Sequence, residues 1–118
     1  MRTTNQFIFG CRKWLFARIA KFYFKIGKRE EGFSELDLIL NKHVRSAKGF
    51  QGFVSLFSCD QDNVAIILTI WEDEESYLGS KELFSSAVNR VMPLLEKQPD
   101  VEYCRVDSVN LVNTLSSL

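Results

Sequence analysis

The sequence has little of what most small catalytic chains are built on. It holds one histidine, His43, and three cysteines, Cys11, Cys59 and Cys104, in 118 residues. Metal sites need several ligands at characteristic spacing, and one histidine with scattered cysteines offers none. An odd cysteine count without CxxC spacing argues against a disulfide framework and fits reduced thiols in a cytoplasmic protein. No apolar run approaches bilayer length, so no membrane span is expected. Phe7-Ile8-Phe9, ended by Arg12 and Lys13, is too short for the apolar core of a signal peptide. The chain has no P-loop, no G-x-G-x-x-G, no H-E-x-x-H and no nucleophile elbow, which sets nucleotide and zinc chemistry aside.

Acids are missing from residues 1–29, and so is serine. A transit peptide would be basic and acid-poor but serine-rich. The segment carries Arg2, Arg12, Lys13, Arg18, Lys21, Lys25, Lys28 and Arg29, while the remainder is acidic enough to bring the formal charge to +0. A basic leading segment can attract phosphates or an anionic surface. The plainer reading is that strand ends and a turn carry solvated lysines beside an acidic remainder. Nucleic acid is not an expected partner: no RNP-type basic-aromatic strand is present, and the last strand carries Glu102 and Asp107.

What is present is ordinary: 46% hydrophobic and 25% charged residues, enough for one domain with one core. Residues 1–13 show no periodicity and read as an N-terminal extension, leaving 14–118 as the domain. Trp14 to Ile26 is aromatic and β-branched, which predicts a strand. Gly27 punctuates it. Phe33, Leu36, Leu40, Val44 and Ala47 recur at three- and four-residue steps, predicting a helix over 28–47 that Gly49 stops. Residues 50–59 read as the second strand, 60–63 as a hairpin turn, and Val64 to Trp71 as the third strand. Asp73 is placed to cap a short helix with Glu74 and Glu75 in its first turn. Ser80 is placed to cap a longer helix with Leu83, Phe84, Ala87, Val88, Val91 and Leu95 as its core stripe. Pro93 predicts a kink or fresh start, and residues 101–112 form the last strand. This is the βαββαβ order of an α+β, ferredoxin-like fold, a four-stranded antiparallel sheet with helices on one face.

In the third strand Val64, Ile66, Leu68 and Ile70 share one face, and Ala65, Ile67, Thr69 and Trp71 the other. Both faces are mostly apolar, so both should be covered. Two helices cover one face; the same sheet of a second copy is the expected cover for the other. A few hundred Å² buried at about 25 cal/mol per Å² contributes several kcal/mol to such a homodimer.

Three passages resemble a known family. Lys25-Ile26-Gly27-Lys28-Arg29-Glu30-Glu31-Gly32-Phe33 is similar to the K-x-G-K-E-E-x-F passage of the antibiotic biosynthesis monooxygenase (ABM) family. Gly49-Phe50-Gln51-Gly52-Phe53 resembles its G-C-x-G-Y/F approach to the second strand. Ile70-Trp71-Glu72-Asp73-Glu74-Glu75-Ser76-Tyr77 resembles its x-W-x-S/D-E-E-A/S-x junction. The likeness covers about residues 14–112. It implies a homodimer whose two sheets form a dimeric α+β barrel, with a pocket between sheet and helices in each protomer. Some members oxidise aromatic polyketides with O₂ and without metal or flavin, others degrade haem, and fold alone does not decide among them. The oxidases resemble this chain at Trp71, at Tyr77 and, within about one residue, at Arg90. The chain departs from them at Ile67, where they carry asparagine. It departs from the haem degraders at Lys81, where they carry the iron-ligating histidine.

The expected function is therefore that of an ABM-like domain, a cofactor-independent monooxygenase acting on a small aromatic or polyketide-like molecule. The alternative is a dimeric module that binds a small ligand or a partner without catalysis. The candidate catalytic residues are Trp71, Tyr77 and Arg90, the candidate ligand-binding residues Trp71, Tyr77 and His43, and no cofactor is expected. Each has a structural reading beside the chemical one. Trp71 ends a strand and suits a core; Tyr77 suits a core cap. Arg90 suits a surface salt bridge; His43 suits a structural place on a helix, though as a base it would work near neutral pH. The acidic run Glu72–Glu75 reads as a complement to a helix dipole rather than a metal site.

Overall fold

The computed structural model describes residues 14–112; the proposed extension 1–13 lies outside them. Eight residues, Phe16–Tyr23, form the first strand, β1. The strand stops short of the expected Ile26 because the chain turns there. The Lys28 amide donates to the Lys25 carbonyl at 2.9 Å, and Gly27 takes φ 76°, the left-handed region that glycine enters without a Cβ clash. Helix α1 then spans Arg29–Ile39. The expected helix continues as a wider π-turn, Leu40–Val44, in which the Arg45 amide reaches back five residues to the Leu40 carbonyl, and ends there, short of the expected Ala47.

Strand β2, Phe50–Phe57, and strand β3, Val64–Trp71, follow. Helix α2 is Glu74–Gly79, and Asp73 caps it as its position predicts, accepting from the Ser76 amide at 2.8 Å. Helix α3, Lys81–Val91, ends in a 3₁₀ turn, Met92–Leu94, carrying Pro93. Strand β4 is Asp100–Arg105. It is shorter than the expected 101–112 because its one partner runs out. Phe16, at the start of β1, faces Arg105, and one further bond joins the Val106 amide to the Leu15 carbonyl. Among the described residues no strand lies beside 107–112.

The sheet order is β2-β3-β1-β4, all pairs antiparallel. This is the α+β, ferredoxin-like arrangement. The alternation of β1 and β3 divides the sheet into two unlike faces. Toward the helices point Arg18, Ala20 and Phe22 from β1 and Ala65, Ile67, Thr69 and Trp71 from β3. All are buried, and most join one core with Leu36, Ile39, Val88 and Val91 of the helices. On the opposite face Ile19, Ile66, Leu68 and Ile70 are half-buried, while Val54 and Leu56 of β2 are 41% and 49% exposed.

Candidate functional site

The inner face of the sheet and the helices above it do not close completely. A cavity of about 50 Å³ remains, walled by apolar side chains such as Phe22, Leu36, Ile39 and Ile67 and reached by Arg18, Thr69, Ser80 and Trp71. Two open clefts adjoin it. One, about 310 Å³, passes Lys48, Glu75 and Ser76 and shares Trp71, Ser80 and Leu83 with the cavity. The other, about 230 Å³, is bordered by His43, Ser86 and Arg90 and shares Ile39, Leu83 and Ala87. Leu83 borders all three spaces.

Trp71, at the end of β3, is 1% exposed and forms a cavity wall. Its ring meets Phe50 edge to face at 5.4 Å. Its indole N–H donates to the Thr69 hydroxyl at 3.0 Å, so that donor is already engaged. Tyr77, on α2, is buried, stacked on Tyr103 at 4.4 Å. The exposed Tyr103 hydroxyl donates to the Glu74 carboxylate, and mainly for that reason its pKa is pushed up to about 12. Arg90 is on the outer side of α3 and pairs with Glu35 of α1 at 3.4 Å. His43 lies exposed in the π-turn. The four candidates thus separate: Trp71 walls the cavity, Tyr77 is buried without lining it, and Arg90 and His43 border the 230 Å³ cleft.

The most consequential side chain here belongs to the basic leading segment and is not among the candidate site residues. Arg18 is 5% exposed. Its guanidinium carbon lies 4.5 Å from the centre of the Tyr77 ring and 4.6 Å from that of Phe84, contacts in which a cation is attracted by the ring quadrupole. Its Nη1 donates to the Ser80 hydroxyl at 3.0 Å. Burial lowers its pKa, and the Tyr77 phenol opposes that shift. Ser80 differs from its expected role as well. It precedes α3, but its hydroxyl donates to the Tyr77 carbonyl at 2.6 Å and accepts from Arg18 instead of capping the helix. A signal for Arg18 was present: in Phe16-x-Arg18-x-Ala20-x-Phe22-x-Phe24 it occupies the inward phase of a period-two strand.

Among the described residues, no three of His, Cys, Asp and Glu gather where a metal could bind, and no helix is long and apolar enough to cross a membrane. Cys59 and Cys104 are unbridged.

No family model matches the sequence, and no curated protein is similar to it. The fold is shared with solved structures. A candidate antibiotic biosynthesis monooxygenase from Nitrosomonas europaea superposes with a TM-score of 0.70 over 81% of this chain and 93% of its own, at 13% identity. A second such candidate, from Caulobacter crescentus CB15, gives 0.69 over 83% and 92% at 16% identity. A protein from Shewanella oneidensis gives 0.68 over 80% and 93% at 20% identity. The chain has an ABM-like fold over about four-fifths of its length.

Proposed function

We propose that this chain is an ABM-like domain, residues 14–118, that works as a homodimer in the cytoplasm and oxygenates a small aromatic molecule without a bound cofactor. The observation that carries the reading is the apolar cavity of about 50 Å³ beside Trp71, into which Arg18, Thr69 and Ser80 bring polar groups, together with the clefts of about 310 and 230 Å³ that adjoin it. A mainly apolar concavity with a few placed polar groups is what a small-molecule site requires.

The chemistry needs no redox group from the protein. Converting an activated aromatic methylene to a carbonyl with O₂ places one oxygen atom in the product and the other in water, and the substrate supplies the electrons. Trp71 would form the flat wall against the substrate ring. Tyr77 would act through Arg18, holding the cation at the cavity. His43 and Arg90 would meet the substrate at the cleft rim, where the imidazole can accept its proton and the guanidinium offset the resulting charge.

The dimer is supported by an apolar face of the sheet that no described helix covers. Ile66, Leu68, Ile70, Val54 and Leu56 lie together there, and a second copy of the same face is self-complementary.

Oxygen uptake with a panel of anthrone- and hydroquinone-like phenols tests the reading. Turnover should give a product that gains one oxygen and loses two hydrogens, and Trp71→Ala should abolish it. If uptake never exceeds autoxidation of any panel member, the oxygenase reading is wrong and a binding module takes its place.

A further inference from the structure

The cavity holds a buried cation, and no described anion matches it. Among the described residues no carboxylate lines the space around Arg18, and neither described carboxylate–cation pair includes it. A charge removed from water costs several kcal/mol unless it is paired and hydrogen-bonded. The partners in place do not meet that need. A guanidinium has five N–H donors in a planar fork. Ser80 accepts from one of them, and the Tyr77 phenol supports the charge. The rings of Tyr77 and Phe84 contribute quadrupole attraction but no negative charge.

A second polar group stands at the same level of the sheet. Thr69 on β3 is the cross-strand partner of Arg18, and both reach the cavity. Its hydroxyl accepts from the Trp71 indole, which leaves its own O–H to donate. Everything beyond these groups is hydrocarbon: Phe22, Leu36, Ile39, Leu40 and Ile67.

We propose that Arg18 and Thr69 form a receptor for one organic carboxylate, and that the ligand is a small acid with an apolar aryl or alkyl body. A planar carboxylate matches the guanidinium fork in two parallel hydrogen bonds. One Arg18 charge is balanced by one carboxylate; the cavity of about 50 Å³ takes the carboxylate end, and the apolar body extends past Leu83 into the adjoining clefts. A dianion or an inorganic phosphate would bring charge and oxygens that the remaining walls cannot satisfy. The receptor occupies the cavity on which the oxygenase reading rests, but it needs only binding.

Benzoate and hexanoate are the probes, with benzamide and inorganic phosphate as neutral and non-organic controls. Binding is read by calorimetry and by the shift in Tm of the whole chain. Benzoate should bind saturably and raise Tm, and benzamide should bind roughly 10- to 100-fold more weakly, the factor expected of charge-assisted hydrogen bonds. Arg18→Met should lose the benzoate effect while keeping or raising the unliganded Tm, since it removes an unpaired buried charge. Arg18→Lys should retain weakened binding, and Thr69→Val should weaken it without unfolding the core. If Arg18→Met does not fold, the Thr69→Val and Arg18→Lys comparison decides. Equal binding of benzoate and benzamide overturns the proposal. So does benzoate affinity that survives Arg18→Met or, should that variant not fold, is unchanged in both other variants. Phosphate competing as well as benzoate, or no binding of either acid at millimolar concentration, overturns it too. Carboxylate binding without oxygen uptake would leave this receptor standing and remove the oxygenase; oxygen uptake without carboxylate binding would do the reverse.

Discussion

Gly49 lies against Ser76 with no room for a side chain between them: a Cβ on Gly49 would stand 2.0 Å from the Ser76 hydroxyl oxygen. Gly49 also takes φ 80°, and its carbonyl accepts from the Glu72 amide at 2.7 Å. The contact presses the start of α2 onto the approach to β2, between Trp71 and Tyr77. Gly49→Ala meets both the left-handed backbone penalty and a collision, and should cost about 2–4 kcal/mol. Chemical denaturation measures it; a loss below about 0.5 kcal/mol, the range of an innocuous surface change, would contradict the packing described.

Gly32 makes the same kind of contact from α1. A Cβ there would stand 2.2 Å from the fully buried Phe24 ring. Gly32→Ala gains helix propensity but overpacks the core, and the second effect should win by about 1–3 kcal/mol. Combining it with Phe24→Leu, which makes space, should recover part of the loss. No recovery in the double variant would count against the steric explanation.

The Asp73 cap supports the helix that carries Tyr77. Asp73→Ala removes the acceptor for the Ser76 amide and should lower stability by about 1 kcal/mol. Asp73→Asn keeps an acceptor and should restore most of it. Urea midpoints of the three proteins report the difference, and equal midpoints would show that the cap contributes nothing.

Tyr103 makes alkaline stability a readout of the Glu74 bond. Its folded pKa, pushed to about 12 from 10.0, means that the folded chain keeps the phenol proton after the unfolded chain has lost it. The contribution is therefore complete below the unfolded value and disappears as pH rises through the folded one. Tm should fall across that window, and Tyr103→Phe should fall less steeply. Parallel curves for the two proteins would rule out the linkage.

Association is expected through the outer face of the sheet. Sedimentation equilibrium at micromolar concentration should report twice the chain mass. Leu56→Lys with Leu68→Lys, both on that face, should give a folded monomer by placing like charges in an apolar contact. A double variant that remains dimeric would place the interface elsewhere.

Much of the fold was legible because its causes are local. Val64 to Trp71 reads as a strand from its run of Val, Ile and Leu and appears with those ends. Asp73 with Glu74 and Glu75 announces a helix start, and Pro93 an interruption, since caps, dipoles and missing amides act within one turn. The βαββαβ order, hence the sheet and the helix layer, follows from such signals in sequence.

The site was legible only in part. Trp71 and Tyr77 reach the interior because the strand phase and the helix cap that set them are local. Arg18 and Ser80, 62 residues apart, meet only because β1 lies beneath the α2–α3 junction. That contact makes Ser80, placed to cap α3, an acceptor for a buried cation instead. Arg90 pairs with Glu35 at the rim for the same reason: which neighbour α3 packs against is set by α1, not by its own residues. Sequence determined which elements form, since each is stabilised within its own few turns. Tertiary packing alone decided which charges lost their water, because desolvation depends on everything that surrounds a group at once.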